Sequence, residues 1–366
     1  MLNLSLITSF ALVVLATLVG QTDFANAQEG ISMKIADVLK KKWIVDHQQV
    51  LLPGEPEDWD GMAVHTPIVF KDGDVYRMYY TGRSMRGDWC IGTATSTDLF
   101  HWTKHPKPVL TSGEYWDVVD FSWAIVHDFP WTIKVDNNYY MFFETKFFAK
   151  ENPKSESDSK PESETEDPES MTIRGMHTTR FGLAVSNDGL HFHKLPRIPL
   201  APDPNGTWDK DGLFAPRVYR RGDKFWMFYG GSDGKVARSG LAFSTDLINW
   251  ERYEHNPIID VGAPGDWDYL STVFGSVIEL EDGYLGAYEG EDRKKMQIGL
   301  AYSKDLKQWT KFEGNPIVRT KKSYVKDGIF VCAAHLIIHQ GKLYLFYTHN
   351  IPSGGKFSHI EVARLE

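Results

Sequence analysis

One unit of about 60 residues recurs along the chain, and this repetition limits the folds that the sequence can adopt. Each copy contains an apolar segment of alternating character, a turn rich in Asp, Gly or Asn, and a second segment dense in aromatic residues. The copies read PIVFKDGDVYRMYY, PWTIKVDNNYYMFF, PRVYRRGDKFWMFY, GSVIELEDGYLGAY and AHLIIHQGKLYLFY. Alternating segments on either side of such a turn predict a β-hairpin in every copy.

A second block follows the hairpin in four of the copies. It combines a strand of small residues, an S-x-D turn and an aromatic strand, and it reads ATSTDLFHWTKHPKPVL, AVSNDGLHFHKLPRIPL, AFSTDLINWERYEHNPII and AYSKDLKQWTKFEGNPIV. Each complete unit therefore contributes four strands. Sheets of four strands at this period predict an all-β fold, a five-bladed β-propeller of four-stranded antiparallel blades.

The two ends of the chain predict how the ring closes. The last unit stops at HIEVARLE, which supplies a third strand and no fourth. Near the N-terminus, KKWIVDHQQVLLPG resembles the segment HWTKHPKPVLTSG of the first unit. We therefore expect an N-terminal strand to complete the last blade, because a closed ring leaves no unpaired sheet edge.

A Trp-Asp pair precedes the hairpins and sets the register of the repeats. It occurs in EDWD at 57–60, EYWD at 114–117, GTWD at 206–209 and GDWD at 265–268, and Lys326-Asp327 is the expected fifth copy. A residue that every unit repeats most simply serves what every unit needs, which is turn hydrogen bonding and packing. Residues that break the repeat are therefore the better functional candidates.

Two segments lie outside the repeats. Residues 1–27 contain an apolar run and end in the small-residue sequence ANA, which predicts a cleaved signal peptide and a secreted or periplasmic protein. Residues 150–170 are acidic, rich in Ser and Pro and poor in apolar residues, which predicts a disordered insertion in blade two. The rest, 28–366, is predicted to be a single propeller domain, in which Cys90 and Cys332 either pair or stay free.

The overall charge narrows the class of partner. The chain has 366 residues, a formal net charge of -9 and a pI of about 5.8. Neither a nucleic-acid backbone nor an anionic membrane is therefore an expected partner. A neutral or weakly charged ligand fits this composition better.

Antiparallel pairing predicts where a site lies. The start of the first strand of a blade and the end of the second strand lie on the same face, and the first strand is innermost in a propeller. These positions ring the mouth of a central funnel, and they include Asp60, His65, Trp123, Asp128, Asp211, Arg217, His335, Arg83, Glu144, Glu289, Glu291, Asp292 and Arg293. A cleft lined by carboxylates, cations and rings suits a polyhydroxylated ligand.

Carboxylates in this ring are the candidate catalytic residues. Glu144 and Glu289 stand where other units have Thr or Gly, and Asp128 also breaks the repeat. Asp60 and Asp211 complete the predicted catalytic set. Glycosidic cleavage needs two carboxyl groups, one of them protonated, and inverting enzymes hold them about 6.5–9.5 Å apart.

Cations, imidazoles and one indole in the same ring are the predicted substrate-binding residues, namely Arg83, Arg217, His65, Trp123, His335 and Arg293. The predicted partner is an oligo- or polysaccharide, which such cations allow to be anionic. No His or Cys spacing predicts a zinc site, and no cofactor is expected. A single structural cation near the propeller axis is left open.

The hairpins TPIVFKDGDVYRMYYTG and APRVYRRGDKFWMFYGG, together with the repeated S-x-D-L-x-x-W and NPII or NPIV, resemble the five-bladed propeller glycoside hydrolases. That group includes the arabinanase and xylosidase family 43, the invertase family 32 and the mannoside phosphorylase family 130. The resemblance covers residues 43–366 and implies a carbohydrate-active enzyme. Thr66 and Ala215 stand where relatives carry acids, so no catalytic set transfers residue by residue.

Three functions follow from this resemblance. The first is a secreted glycoside hydrolase that uses paired carboxylates in the funnel. The second is a phosphorylase, which needs cations to hold phosphate, and Arg83, Lys146, Arg217 and Arg293 are available for this. The third is a catalytically silent glycan-binding propeller, which the absence of acids at Thr66 and Ala215 favours.

Overall fold

The predicted hairpins form the blades of a five-bladed β-propeller in the computed structural model, which describes residues 33–114, 121–149 and 179–366. The predicted signal peptide and acidic insertion lie outside the described residues and stay predictions. Within the described part of the chain, no helix combines the length and apolar character needed to span a bilayer. Cys90 and Cys332 are not joined by a disulfide.

The first half of the described chain forms two blades after two leading elements. The leading elements are α1 (Ile35–Lys40) and β1 (Trp43–Leu51). Blade one contains β2 (Ala63–Asp72), β3 (Val75–Arg83), β4 (Trp89–Ser96) and β5 (Thr103–Lys104), with β6 (Leu110–Thr111) also paired to β4. Blade two contains β7 (Gly113–Glu114), β8 (Phe121–Val135), β9 (Asn138–Ala149), β10 (Thr179–Ser186) and β11 (His193–Lys194).

The second half forms three more blades with the same meander of antiparallel strands. Blade three contains β12 (Gly212–Arg221), β13 (Lys224–Ser232), β14 (Ala237–Ser244) and β15 (Glu251–Arg252). Blade four contains β16 (Ser271–Leu280), β17 (Gly283–Glu291), β18 (Met296–Ser303) and β19 (Trp309–Lys311). After α2 (Tyr324–Asp327), blade five contains β20 (Phe330–His339), β21 (Lys342–Ser353) and β22 (Lys356–Leu365).

The N-terminal strand completes the last blade, as predicted. β1 pairs antiparallel with β22, where Gln49 lies opposite Glu361. A short parallel contact between Ala63 and Ser358 joins β2 to β22 and places the first blade beside the last. The outer edge of blade five is therefore covered by the strand that begins the described chain, and the ring is closed.

In blades one, three and four, the Trp of the repeated pair packs on glycines of its own blade, while the copy at Trp116-Asp117 lies outside the described residues. Trp208 lies against Gly231 in β13 and Gly240 in β14, where an added Cβ would collide with the indole ring. The same contact joins Trp59 to Gly82 and Gly92, and Trp267 to Gly290 and Gly299. These strand glycines are therefore required by the close approach of a ring.

In the same three blades, the Asp of the pair is buried and bridges a tyrosine to a cation. Asp209 is 1% exposed and accepts hydrogen bonds from the Tyr229 hydroxyl at 3.2 Å and from Arg252 Nε at 2.9 Å. The same contacts join Asp60 to Tyr80 and Lys104, and Asp268 to Tyr288 and Lys311. A buried carboxylate is costly unless it is paired, so these partners explain why the pair recurs.

The fifth pair predicted at Lys326-Asp327 is wrong. These residues end α2, where Asp327 is exposed and accepts a hydrogen bond from the Ser323 amide at 3.2 Å. A helical turn here keeps the carboxylate away from the blade. Blade five instead pairs Tyr347 with Glu361, whose Oε2 accepts the hydroxyl at 2.6 Å.

We expect Asp209→Ala to lower the free energy of unfolding by about 2–4 kcal/mol, because the buried Tyr229 hydroxyl and the Arg252 guanidinium lose their acceptor. Urea denaturation measures the change. Asp223→Ala, in an exposed turn of the same blade, is the control and should shift stability by no more than about 0.5 kcal/mol. Equal shifts in the two variants would contradict the structural role of the pair.

Candidate active site at the funnel mouth

Five side chains, one from the innermost strand of each blade, meet at the centre of the ring. They occupy equivalent register positions and are all buried, and they are Ile68, Trp131, Arg217, Ser276 and His335. The Trp131 and His335 rings lie 5.6 Å apart although blades two and five are not neighbours, so this contact crosses the ring. We call these five side chains the plug, and they form the floor of the funnel.

Arg217 belongs to the plug, which corrects its predicted place at the mouth. It is 1% exposed and donates from Nε to the Gly275 carbonyl at 2.5 Å and from Nη1 to the Pro216 carbonyl at 3.0 Å. Its guanidinium also lies 5.3 Å from the ring centroids of Phe129 and Trp131. A guanidinium surrounded in this way stabilises the core of the ring, and its role in substrate binding stays a prediction.

His335 was also predicted at the mouth and also lies in the plug. Its Nε2 is 2.7 Å from the Val69 carbonyl of blade one. Burial lowers the pKa of His335 to about 3, with a smaller lowering by the nearby Arg217 charge, and the Val69 carbonyl only partly opposes this. The imidazole is therefore neutral and donates its Nε2–H to Val69. This hydrogen bond links blade five to blade one.

A β-bulge in the innermost strands lies directly above the plug. Residues at this bulge have left-handed backbone conformations, with φ of 51° at Thr66, 50° at Phe129, 51° at Ala215 and 55° at Ala333. The Thr66 amide donates to Thr348 Oγ1 of blade five at 2.8 Å. The Ala333 amide donates to Glu289 Oε1 of blade four at 2.6 Å. Glu289 therefore holds the strained bulge of the next blade, as a threonine does at another junction.

Glu291 is a buried acid at the end of β17. It is 5% exposed, and its Oε1 accepts a hydrogen bond from the Tyr324 hydroxyl at 2.6 Å. Burial is the main cause that raises the pKa of Glu291 to about 7, and the Asp292 and Glu289 carboxylates add to it, while the Tyr324 hydrogen bond acts in the opposite direction. A large fraction of Glu291 is therefore protonated at neutral pH.

Glu289 and Glu291 form a carboxyl pair on one face of β17. Side chains two residues apart in a strand point to the same side, and their Cα atoms are separated by about 6.6–6.8 Å. The hydroxyl of Tyr324 in α2 contacts Glu291, so the segment between blades four and five reaches this member of the pair. A protonated acid beside a second carboxylate is the arrangement that general acid–base chemistry requires.

The sequence places Glu291 on the funnel rim but gives it no role. A break in the repeat could have identified Glu291 as a candidate, because the equivalent positions of blades one, three and five hold Arg83, Ser232 and Asn350. The contact with Tyr324 is not visible in the sequence, since it depends on how the segment before blade five folds back.

Glu144 occupies in blade two the position that Glu289 occupies in blade four. It is 3% exposed, and its backbone pairs with Asp128 in β8 and Phe181 in β10. The side chains of Asp128 and Trp123 lie outside the described residues. The predicted roles of Glu144, Asp128 and Trp123 stay predictions.

The two remaining acids of the predicted catalytic set have different environments. Asp60 is 2% exposed and is bound by Tyr80 and Lys104, which accounts for its burial in the same way as for Asp209. Asp211 precedes β12, is partly exposed, and its amide donates to the Ser232 carbonyl at 3.0 Å. A catalytic role for either acid stays a prediction.

Blade one contributes a cation, an imidazole and an indole to the rim. The Arg83 guanidinium lies 4.9 Å from the Trp89 ring centroid, and the His65 ring meets Trp89 edge-on at 4.8 Å. All three side chains are partly exposed, and the sequence reasoning missed Trp89. Arg293, on the turn after β17, is exposed with a φ of 68°. Indole faces and guanidinium groups at such a rim suit a sugar ligand.

Among residues 33–114, 121–149 and 179–366, one group of side chains has the spacing of metal ligands, and it lies in blade five outside the Glu289–Glu291 pair. These side chains are not the ones expected to hold a cation near the propeller axis, so that cation stays a prediction.

The amino-acid sequence is similar to a family of glycoside-processing enzymes and to several known proteins. The family described as beta-1,4-mannooligosaccharide phosphorylase matches residues 171–327, which include Glu289, Glu291 and Tyr324. An uncharacterized protein of Mycobacterium tuberculosis (strain ATCC 25618 / H37Rv) is 23% identical over 261 residues, 69% of this chain and 76% of that protein. The 1,2-beta-oligomannan phosphorylase of Thermoanaerobacter sp. (strain X514) is 28% identical over 148 residues, 40% of this chain and 44% of that protein.

Solved structures agree with the sequence comparisons on the fold. A structure described as a glycoside hydrolase has a TM-score of 0.61 at 20% identity and covers 88% of this chain and 92% of its own. A second structure is described as belonging to the GH130 family of mannoside phosphorylases, which contains glycoside hydrolases that target beta-1,2 mannosidic linkages in Candida mannan. It has a TM-score of 0.59 at 15% identity and covers 88% of this chain and 93% of its own. The predicted resemblance to the five-bladed propeller glycoside hydrolases is confirmed. The chain is similar to glycoside-processing enzymes that act on mannooligosaccharides.

The raised pKa of Glu291 predicts a pH dependence of stability. Between about pH 4.5 and 7 the folded protein retains a proton that the unfolded chain releases, so the free energy of unfolding falls as pH rises through this window. Relative to Glu291→Gln, the wild type should lose up to about 3 kcal/mol between these limits. Urea denaturation across the pH range measures the difference. Exposed Glu313→Gln is the control and should follow the wild type, and parallel curves for Glu291→Gln and wild type would contradict the shift.

Proposed function

We propose that the protein hydrolyses β-mannosidic bonds of mannooligosaccharides, with Glu291 as the general acid and Glu289 as the second carboxylate. The observation that carries this proposal is the buried Glu291 carboxyl on the same face of β17 as Glu289. Burial raises the pKa of Glu291 to about 7, and a general acid must hold its proton until the leaving oxygen takes it. The sugar follows from the descriptions of the matching family and of the relative from Thermoanaerobacter.

Each carboxyl group has a separate task in the proposed reaction. Glu291 donates its proton to the glycosidic oxygen as the bond to the anomeric carbon breaks. Glu289 accepts a proton from the attacking water, and the Ala333 amide fixes the orientation of its carboxylate. Tyr324 holds Glu291 and helps to exclude water from it.

Phosphorolysis is the second candidate, which the name of the matching family favours. In such a reaction phosphate replaces water as the nucleophile and needs cations close to the cleaved bond. Of the cations considered for this role, Arg217 is buried in the plug and its Nε and Nη1 donate to backbone carbonyls. The side chain of Lys146 lies outside the described residues. Among the described cations, Arg83 and Arg293 remain on the rim as candidates for binding phosphate.

We expect Glu291→Gln to lower kcat/KM on β-1,2- and β-1,4-mannobiose by about 10²–10⁴-fold. The loss should be much smaller on 2,4-dinitrophenyl β-mannoside, since its leaving group departs without a proton. Initial-rate assays on both substrates measure this difference. Equal losses on the two substrates, or wild-type rates on mannobiose, would show that Glu291 is not the acid.

Glu289→Gln should lower the rate on both substrates, because an amide cannot accept the proton of water. The amide oxygen can still accept the hydrogen bond from Ala333, so the bulge keeps its contact. Glu144→Gln tests the other acid predicted from the sequence. If Glu144→Gln loses activity on both substrates while Glu289→Gln does not, the base lies in blade two. Glu313→Gln, on an exposed turn, is the matched control for loss of a charge.

Product analysis with and without phosphate separates the candidate functions. Release of mannose in the absence of phosphate supports hydrolysis. Release of mannose 1-phosphate that depends on phosphate supports phosphorolysis and rejects the proposal. Binding of mannooligosaccharides without release of either product indicates a glycan-binding propeller.

A further inference from the structure

Blade five lacks the Trp-Asp unit, and polar side chains take its place. Strand register makes Tyr347 equivalent to Tyr80 of blade one, and it makes His349 and Glu361 equivalent to Gly82 and Gly92. Those two glycines receive the indole of Trp59 in blade one. In blade five, an imidazole and a carboxylate occupy the corresponding strand positions.

Three imidazoles and a phenol surround the Glu361 carboxylate. Glu361 is 1% exposed, and its Oε1 lies 2.9 Å from His349 Nδ1 and 2.9 Å from His359 Nε2. Its Oε2 lies 3.0 Å from His47 Nδ1 and accepts the Tyr347 hydroxyl at 2.6 Å. We call His47, His349, His359 and Glu361 the blade-five cluster.

The cluster joins the N-terminal strand to a hairpin near the other end of the chain. His47 lies on β1, His349 on β21, and His359 and Glu361 on β22. His47 has a φ of 58°, a left-handed conformation that costs a non-glycine residue about 1–2 kcal/mol. The strained position brings its imidazole onto Glu361. Blades one, three and four show that a Trp on glycines is enough to build a blade, so folding alone does not require this polar group.

We propose that the blade-five cluster binds a divalent transition-metal cation of the type that prefers imidazole, with Zn²⁺ as the representative. One donor atom from each of His47, His349 and Glu361 lies within 4.8 Å of the other two. Zinc bonds to imidazole nitrogen and carboxylate oxygen are about 2.0–2.1 Å long, so small rotations of these side chains bring the donors to a common ion. His359 supplies a fourth ligand or orients Glu361.

The proposed ion links the N-terminal strand to the blade that it closes. His47 has 55% of its side chain exposed, which provides a path from solvent to the buried Glu361. Imidazole and carboxylate donors favour zinc, copper and nickel over calcium or magnesium, which take oxygen ligands. Bound metal would therefore act as a clamp between β1 and the β21–β22 hairpin, independently of the Glu289–Glu291 pair.

Zinc titration of the purified full-length protein tests the proposal. After EDTA treatment and dialysis, isothermal titration should show one Zn²⁺ per chain, and Tm should rise with zinc concentration, because the metal binds the folded state. Ca²⁺ in the same titration should give neither effect. Absence of saturable zinc binding, or equal responses to Zn²⁺ and Ca²⁺, would overturn the proposal and leave the cluster as a hydrogen-bonded network.

Variants assign the bound ion to the cluster. His47→Gln should weaken zinc binding at least tenfold, and because His47 is half exposed on the outermost strand this variant is expected to fold. His349→Gln should have the same effect and tests a buried member of the cluster. His191→Gln is the matched control, since it removes an imidazole from an exposed pair with Asp188 at 2.7 Å. Unchanged zinc affinity in His47→Gln, or an equal loss in His191→Gln, would place the metal elsewhere.

Discussion

A buried carboxylate that accepts hydrogen bonds from a tyrosine and from a cation is the constraint on which the blades depend. Asp60, Asp209 and Asp268 each occupy this position, beside a Trp that packs on glycines of two neighbouring strands. A charge of this kind is stable in the core only if its partners are placed accurately. The sequences of these three blades are therefore restricted at several positions together, which is why the repeat is visible in the sequence.

The proposed functional groups lie where the repeat is broken. In blade four the position that holds Thr348 in blade five holds Glu289. Two residues later stands Glu291, and burial raises its pKa to about 7. In blade five the unit built on Trp and Asp gives way to imidazoles around Glu361. The carboxyl groups of blade four and the imidazoles of the β21–β22 hairpin in blade five are buried polar groups, which cost free energy to desolvate, at positions where several other blades have smaller or uncharged residues. Such groups are retained when they bind or react.

The blades, their four strands and the closing N-terminal strand could be predicted because alternation and turn chemistry are local properties. The sequence also predicts that the recurring Trp-Asp pair has a structural role in the blades. It assigns the fifth copy to Asp327, but this residue ends α2, and the helical turn keeps its carboxylate away from the blade. Arg217 and His335 are misplaced because a bulge in the innermost strand shifts their side chains into the plug. The Glu291–Tyr324 contact and the blade-five cluster depend on groups separated by 33 and 314 residues, and no local pattern reports such contacts.

The account rests on Glu291 holding a proton beside Glu289 at the funnel mouth. Its most direct test is a pH titration of the glutamate carboxyl carbons by NMR in isotopically labelled protein, with the Glu291 signal assigned by its disappearance in Glu291→Gln. We predict that this signal titrates near pH 7, well above the ordinary value of 4.5. A midpoint near 4.5 would show that Glu291 is ionised at neutral pH, which contradicts its assignment as the general acid.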